Sequence, residues 1–335
     1  MFTQFETDYC HYVFPCFDQP SMKATFTLRA QCPSEWVVVS NEAGTEGDCQ
    51  ELADSVGQAT GAFGAEHAQL KIEAARSFVF PESFKISTYL YAIAAGAYGF
   101  FERKTEGLPT MRIYARQTLM EEVNHELMFN VTESGMWFYN DFFQTPYPFR
   151  KYDQIFVPEH NAGAMENVGL VTYNELYLFK GQTATLAKQL RFSITNLHEL
   201  AHMWFGDLVT MKWWNDLWLN ESFATFMSFL AMESSPRIAQ FHDTCWVTFL
   251  QYKYWGVNTD QLSSTHPICC QIANTSEAEE IFDGISYGKG SAFLKQMYNI
   301  LGRDVMSKGL KIYFDKHQWK NTQLPDFVGA LEEAW

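Results

Sequence analysis

The chain has 335 residues and 47% hydrophobic content, with 29 Phe and 10 Trp, enough to bury a large core and longer than a usual single domain. Its 39 acidic against 24 basic residues leave a formal charge of -15, which argues against nucleic acid, whose phosphates need a basic surface, and suits neutral or cationic partners. The seven cysteines, Cys49 among them, are odd in number and lack C-x-x-C spacing, so reduced thiols are expected in place of a disulfide framework or thiolate zinc site.

No basic and apolar signal segment opens the chain, and the longest apolar run, Tyr89 to Phe101, falls short of the ~20 residues of a membrane span. A cytoplasmic setting without a membrane segment is therefore expected, and the sequons at Asn130, Asn220 and Asn274 would matter only in a secreted chain. From about residue 12 to 103 short stretches alternate apolar and polar, as in Lys23 to Leu28, which predicts a β-rich domain over 1–105. Ser40 to Ala65 reads as a loop and Lys104 to Pro109 as a domain junction. Beyond it, 106–335 predicts an α+β domain, opening on an extended Thr110 to Ala115. Leu190, Ile194, Leu197, Ala201 and Phe205 recur at three- and four-residue spacing, giving one apolar helix face that Gly206 ends. A second helix is predicted from a cap at Asn215 or Asp216, past Glu221, to a stop before Pro236, with Trp213, Trp214 and Trp218 as core around it. The amphipathic Leu324 to Trp335 lacks a C-cap, so truncation at the carboxyl end is expected.

The first of these helices carries His198-Glu199-Leu200-Ala201-His202, an H-E-x-x-H motif whose two imidazoles, four residues apart, project from one face and can share one ion. A catalytic zinc takes three protein ligands, and Glu221, nineteen positions after His202 on the next helix, is the candidate third. Glu199 is then placed as general base for metal-assisted amide hydrolysis. Asp207 and Asp216 are candidates to orient the imidazoles, with a helix N-cap as the favoured alternative for Asp216.

Gly163-Ala164-Met165-Glu166-Asn167, His198 to His202, and Asn220-Glu221-Ser222-Phe223-Ala224 together closely resemble the aminopeptidase N and puromycin-sensitive aminopeptidase family of gluzincins. Similarity runs from Val13 through Asp18 to Ile285 through Gly290. The resemblance implies a partial, saddle-like β domain followed by a thermolysin-like zinc metallopeptidase domain, one zinc ion per chain, peptide substrates with a free amino end, and absence of the family's later domains. It also implies that Glu166 holds the substrate's α-ammonium group, with Gln4 and Glu6 as a second amine-binding segment lining the first side-chain pocket. Tyr287 takes the role of oxyanion donor, Gly163 and Ala164 offer an edge strand to the substrate main chain, and Met165 floors the first pocket. Gln19, Val168 and Glu159-His160 depart from the usual family residues and leave the cleft's preference open. Three other readings stand beside the exopeptidase: a catalytically silent or fragmentary peptide binder, an epoxide hydrolase like leukotriene hydrolase, whose relatives carry Gly at the position of Ala164, and an endopeptidase.

Overall fold

The computed structural model describes residues 1–47, 75–179 and 184–335. Cys49 and most of the expected loop from Ser40 to Ala65 lie outside the described residues. The amino-terminal part is strand-rich. Strands β1 (Arg29–Pro33), β3 (Thr45–Glu46) and β4 (Ala75–Val79) form an antiparallel sheet in the order β1-β4-β3, while β2 (Val37–Ser40) pairs antiparallel with β5 (Ile93–Gly96). The chain start is tied to this second sheet: Phe2 bridges Ala94, the Thr3 N–H donates to the Ile93 carbonyl at 3.0 Å, and Phe5 is buried beside Tyr91 and Phe14. Those contacts fix Gln4 and Glu6 despite their place near the terminus.

A five-stranded sheet follows, in the order β6 (Tyr98–Arg103), β7 (Thr110–Arg116), β8 (Lys151–Val157), β10 (Leu170–Asn174) and β9 (Ala164–Met165). Its inner strands β7, β8 and β10 are parallel and β8 is buried along its whole length, as a two-sided covered strand must be. Strands β6 and β7 form one antiparallel hairpin, so the expected junction at Lys104 to Pro109 is the turn between two strands of a single sheet. Strand β9 closes the far edge, antiparallel to β10.

Helices cover the sheet and build the carboxyl-terminal part: α1 (His125–Phe143), α2 (Leu186–His202), α3 (Leu217–Ser234), α4 (His242–Asp260), α5 (Thr275–Glu280), α6 (Gly290–His317, broken at Gly302) and α7 (Leu324–Ala334). Asn124 caps α1 by accepting from the Leu127 N–H, and Thr185 caps α2 by accepting from the Lys188 N–H. α1 meets α2 closely because Gly135 has no side chain; a Cβ there would lie 2.5 Å from a Leu197 methyl. α3 starts one residue after Asp216 and stops before Pro236, as its sequence predicts, and Trp214 and Trp218 are core residues with Trp213 packed against them. α7 opens on a capping box from Gln323 and Asp326. No helix among the described residues is long and apolar enough to cross a membrane. The α+β class, strands first and helices after, stands as expected.

Candidate active site

His198 and His202 occupy the last turns of α2, and Glu221 the second turn of α3. Their donor atoms converge: His198 Nε2 lies 2.9 Å from His202 Nε2 and 3.2 Å from Glu221 Oε2, and His202 Nε2 lies 3.5 Å from that same oxygen. The outer ring nitrogens are both engaged. His202 Nδ1 meets the Phe205 carbonyl at 2.9 Å and His198 Nδ1 the Thr225 hydroxyl at 3.3 Å, leaving the inner nitrogens to face each other and Glu221. The turn that brings Phe205 back under His202 passes through Gly206 at φ 128°, where a Cβ would press on Asn220 Nδ2 at 3.2 Å and His202 Nδ1 at 3.5 Å.

Neither candidate aspartate orients a ring. Asp207 is buried with both carboxylate oxygens unpartnered among the described residues, and Asp216 accepts from Cys269 Sγ at 3.4 Å. Asp216 stands at the N-cap position of α3 but makes no capping bond with its side chain. The Phe205 carbonyl, held in the turn that follows α2, and the Thr225 hydroxyl, one helical turn after Glu221 on α3, take the orienting roles.

Three more carboxylates crowd this cluster. Glu166, which follows β9, is buried with Oε1 3.8 Å from His202 Nδ1; Oε1 of Glu166, Oε1 of Glu6 and Oε2 of Glu199 are buried without a hydrogen-bond partner. Burial, then the neighbouring carboxylates, push Glu6 and Glu199 well above the usual carboxylate range; burial also raises Glu166, against the pull of His202. Glu221 differs: burial alone would raise it, but His202 and the hydrogen bonds from both histidines hold it at about 2. Burial lowers His198, whereas Glu166 and Glu221 outweigh burial at His202 and raise it well above its usual value. Two imidazoles and four acids in one desolvated space are short of positive charge. Two nitrogens and one carboxylate oxygen within 4.8 Å of one another, with unpartnered carboxylate oxygens beside them, fit a zinc ion.

Two clefts open onto the cluster. One, of about 240 Å³, is lined by Gly163, Ala164, His198, Glu199, Trp255 and Tyr287 among others; the second, of about 270 Å³, is lined by Gln4, Glu6, Tyr9, Asn161, Glu279 and Phe282. Ala162 and Tyr287 belong to both walls. Tyr287 sits on a single π-helical turn (Ile285–Lys289), stacked between His198 at 6.0 Å and Trp255 at 5.6 Å; burial and then the charge of Glu221 raise its hydroxyl well above the usual tyrosine value. That turn is locked by Asp283, which accepts from the Ile285 and Ser286 N–H groups, and by the Ser222 hydroxyl, which donates to the Ser286 carbonyl. Glu221 and Tyr287 are thereby held by adjoining residues. A larger cleft, of about 510 Å³ around Trp137 and Arg237, shares no residue with these two.

The model of the peptidase family M1 domain matches residues 127–335, and that of the peptidase M1 N-terminal domain matches residues 1–56. The chain belongs to peptidase family M1. Over 100% of its length this M1 chain is 40% identical to aminopeptidase N of Streptomyces lividans, covering 36% of that protein. It is 36% identical to puromycin-sensitive aminopeptidase of Caenorhabditis elegans over 99% of the chain and 32% of the relative, and 34% identical to endoplasmic reticulum aminopeptidase 1 of Homo sapiens over 98% and 32%. The M1 chain thus spans about a third of the length of these relatives. Aminopeptidases of the M1 family are in general zinc-dependent.

Within the M1 chain the expected site residues fall into three groups. His198, His202, Glu221, Glu199, Glu166 and Glu6 meet in one cluster, with Tyr287 and Gln4 in the cleft walls. Ala164 lies on the sheet edge; because the Asn174 N–H donates to the Gly163 carbonyl at 2.9 Å, alternation turns the Ala164 N–H and C=O away from β10, while the Gly163 carbonyl is already used. Met165 is 2% exposed in the main core and lines neither cleft. Sequence reasoning missed Thr225, Trp255 and Glu279. For Thr225 a signal existed, since it lies four residues after Glu221 and so on the same helix face.

Proposed function

We propose that this M1 chain carries the catalytic centre of a zinc aminopeptidase that releases single residues from the free amino end of peptides. Residues 1–105 supply Gln4 and Glu6, and residues 106–335 the rest of the site. One zinc ion is held by His198, His202 and Glu221, the three donors whose outer partners and mutual distances favour it. When bound, the ion polarises the scissile carbonyl and lowers the pKa of a water to ~7.

The chain's own residues do the rest. Glu199 lies in the wall of the cleft with an unpartnered oxygen and a raised proton affinity, the condition for a general base that accepts a proton from water and passes it to the leaving amine. The Tyr287 hydroxyl, kept protonated by burial and by Glu221, donates to the carbonyl oxygen as negative charge builds on it. The outward N–H and C=O of Ala164 pair with the substrate main chain along the open edge of β9, with Gly163 beside it in the cleft wall. Met165 shapes the first side-chain pocket from beneath, through the packing of β9.

The observation that carries the exopeptidase reading is the pair of acids, Glu166 and Glu6, each with a buried unpartnered oxygen next to the zinc ligands. A substrate ammonium supplies the missing cation and fixes the amino end, so that only the first peptide bond reaches the zinc. An endopeptidase has no use for that arrangement.

The test is hydrolysis of aminoacyl-coumarin amides by the purified chain, before and after chelation, with Glu199→Gln as control. Release should need zinc and drop by about 10²- to 10⁴-fold in the variant. An N-acetylated peptide cleaved as fast as the free one would remove the anchoring role of Glu166 and Glu6. No release from a folded, zinc-loaded chain would leave a peptide-binding relative, and turnover of an epoxide in its place would favour the hydrolase alternative.

A further inference from the structure

A second set of metal-binding donors lies in the amino-terminal part, outside the catalytic cluster. Cys10 Sγ, Cys16 Sγ and a carboxylate oxygen of Asp18 lie within 4.8 Å of one another, as do the donors of His198, His202 and Glu221. We propose that these three residues, with His11 at the rim, bind a second, thiolate-held metal ion, zinc or cadmium, that clips the segment next to Glu6 and Tyr9. None of the four belongs to the candidate active site, so the site does not depend on the aminopeptidase reading.

Local folding brings the donors together without a C-x-x-C spacing. Cys10 lies on a single 3-10 turn (Tyr9–Tyr12), and its carbonyl accepts from the Val13 and Phe14 N–H groups at 2.9 and 3.2 Å, which reverses the chain. The His11 N–H then donates to Asp18 Oδ2 at 2.9 Å, closing the loop that carries Cys16. Donors bound to one zinc at about 2.0–2.3 Å stand about 3.3–3.8 Å apart in a tetrahedron, so small side-chain rotations suffice here. The carboxylate is already held as a metal ligand should be: the Thr88 hydroxyl donates to Oδ1, and His11 Nδ1 stands 3.2 Å from Oδ2. Cys10 is fully buried, whereas Cys16 is half-buried and gives the ion its entry.

The electrostatics favour a cation. Burial, then Cys16 and Asp18, raise the Cys10 thiol, and burial, then Asp18, raise that of Cys16. Two thiols and a carboxylate in one small space cannot all be anionic alone, and a divalent ion removes that conflict by replacing the thiol protons. The same raised values make both thiols poor nucleophiles, which argues against an oxidation-sensing pair. Thiolates also select zinc or cadmium over calcium and magnesium. Cys10 directly follows Tyr9 and lies four residues after Glu6, and Asp8 between them accepts from the Thr275 hydroxyl at 2.8 Å. Occupation thus anchors the wall of the 270 Å³ cleft that Glu6 and Tyr9 line.

Cadmium bound to thiolate gives an ultraviolet charge-transfer band that imidazole and carboxylate ligands do not, so the catalytic donors are silent in this measurement. Under reducing conditions His202→Ala, titrated with cadmium, should saturate the band at a single ion per chain. Cys10→Ala and Cys16→Ala should each lose the band, and Cys269→Ser with Cys270→Ser should keep it. Thr88→Val should weaken cadmium binding about 10- to 100-fold by freeing Asp18. In the unaltered chain, where no variant has to fold, saturating zinc should slow alkylation of Cys16 about tenfold, since a metal-bound thiolate is no longer a free nucleophile. A band that survives both Cys10→Ala and Cys16→Ala, or alkylation of Cys16 at one rate with and without zinc, overturns the site. So does a fully reduced chain that takes up no thiolate-bound cadmium, which would leave Cys10 and Cys16 as a packed thiol pair.

Discussion

Helix α2 borders two buried polar clusters that treat hydrogen bonding in opposite ways. At Asn196 the network closes: its amide donates to Gln154 Oε1 at 2.8 Å and approaches the Tyr173 hydroxyl at 3.3 Å, while its carbonyl oxygen lies 3.1 Å from the Thr132 hydroxyl, which itself accepts from Gln154 Nε2 at 3.1 Å. Every member is neutral. On the same strand as Gln154, the buried Lys151 and Asp153 pair at 2.7 Å and Lys151 also donates to the Gly169 carbonyl, so charge there is matched as well. Two residues after Asn196, at His198 and Glu199, the account stays open: four acids, two imidazoles and unpartnered oxygens. Closed polar clusters fix the sheet against the helices, and an open one marks where ligands are to supply the missing partners.

The largest expected effect tests that openness. Zinc at a thousandfold excess over its Kd should stabilise the chain by about 4 kcal/mol, a shift of several degrees in Tm. In a Cys16→Ala background, where no thiolate pair takes up the ion, His202→Ala should abolish the shift, because the remaining two donors no longer close around an ion, whereas a substitution in the Asn196 network should keep it. Thermal denaturation with zinc and with chelator measures both, and an unshifted wild type would erase the contrast.

The closed side is tested next by removing one partner. Lys151→Met leaves Asp153 buried without its cation and should cost about 3–5 kcal/mol, whereas Lys151→Met with Asp153→Leu should restore most of the loss, since a well-packed apolar pair is about as stable as a buried ion pair. Urea unfolding of the two variants decides it; equal cost for both would mean that the strand tolerates the lone carboxylate.

How much of this contrast is legible in the sequence depends on the kind of partner. His198, His202 and Glu221 are readable because the H-E-x-x-H spacing fixes two side chains on one face and a carboxylate on the following helix has few other uses. The helix bounds around them are readable from apolar periodicity, a cap and Pro236. The ring-orienting partners are not, because a carbonyl such as that of Phe205 exists at every residue and only the turn through Gly206 brings that one under His202. Asp207 and Asp216 look suitable on charge alone, yet the folded chain buries one without partners and turns the other to Cys269. Glu6 is reached only through the family resemblance, because its burial depends on Phe2 and Thr3 pairing with residues about ninety positions away. The hairpin across Lys104 to Pro109 is likewise a matter of strand pairing, which Gly and Pro punctuation does not reveal.

Asn196→Leu should cost less, about 1–3 kcal/mol, by leaving Gln154 and Thr132 short of partners. Its zinc stoichiometry should match the wild type. Loss of zinc along with stability would show that the two clusters share one cooperative unit and are not separable.

The smallest effect concerns Lys23, the cation that faces Asp207 at the border of the open cluster. Its ammonium is half-buried and donates to the Lys320 carbonyl at 3.3 Å; burial lowers its pKa to about 8, and the attraction of Asp207 offsets only part of that. An unfolded lysine titrates near 10.4, so between about 8 and 10.4 the unfolded chain holds a proton that the folded chain has released. Stability then rises with pH across that window: the contribution is fully present above about 10.4 and is lost as pH falls through about 8. Tyrosines and cysteines also titrate there, so the quantity to measure is the stability difference between wild type and Lys23→Met by urea unfolding at pH 7.5 and pH 10. The difference should shift in favour of the wild type at the higher pH. A difference independent of pH would place Lys23 on the closed side of the comparison, its charge met in full by the Lys320 carbonyl and Asp207.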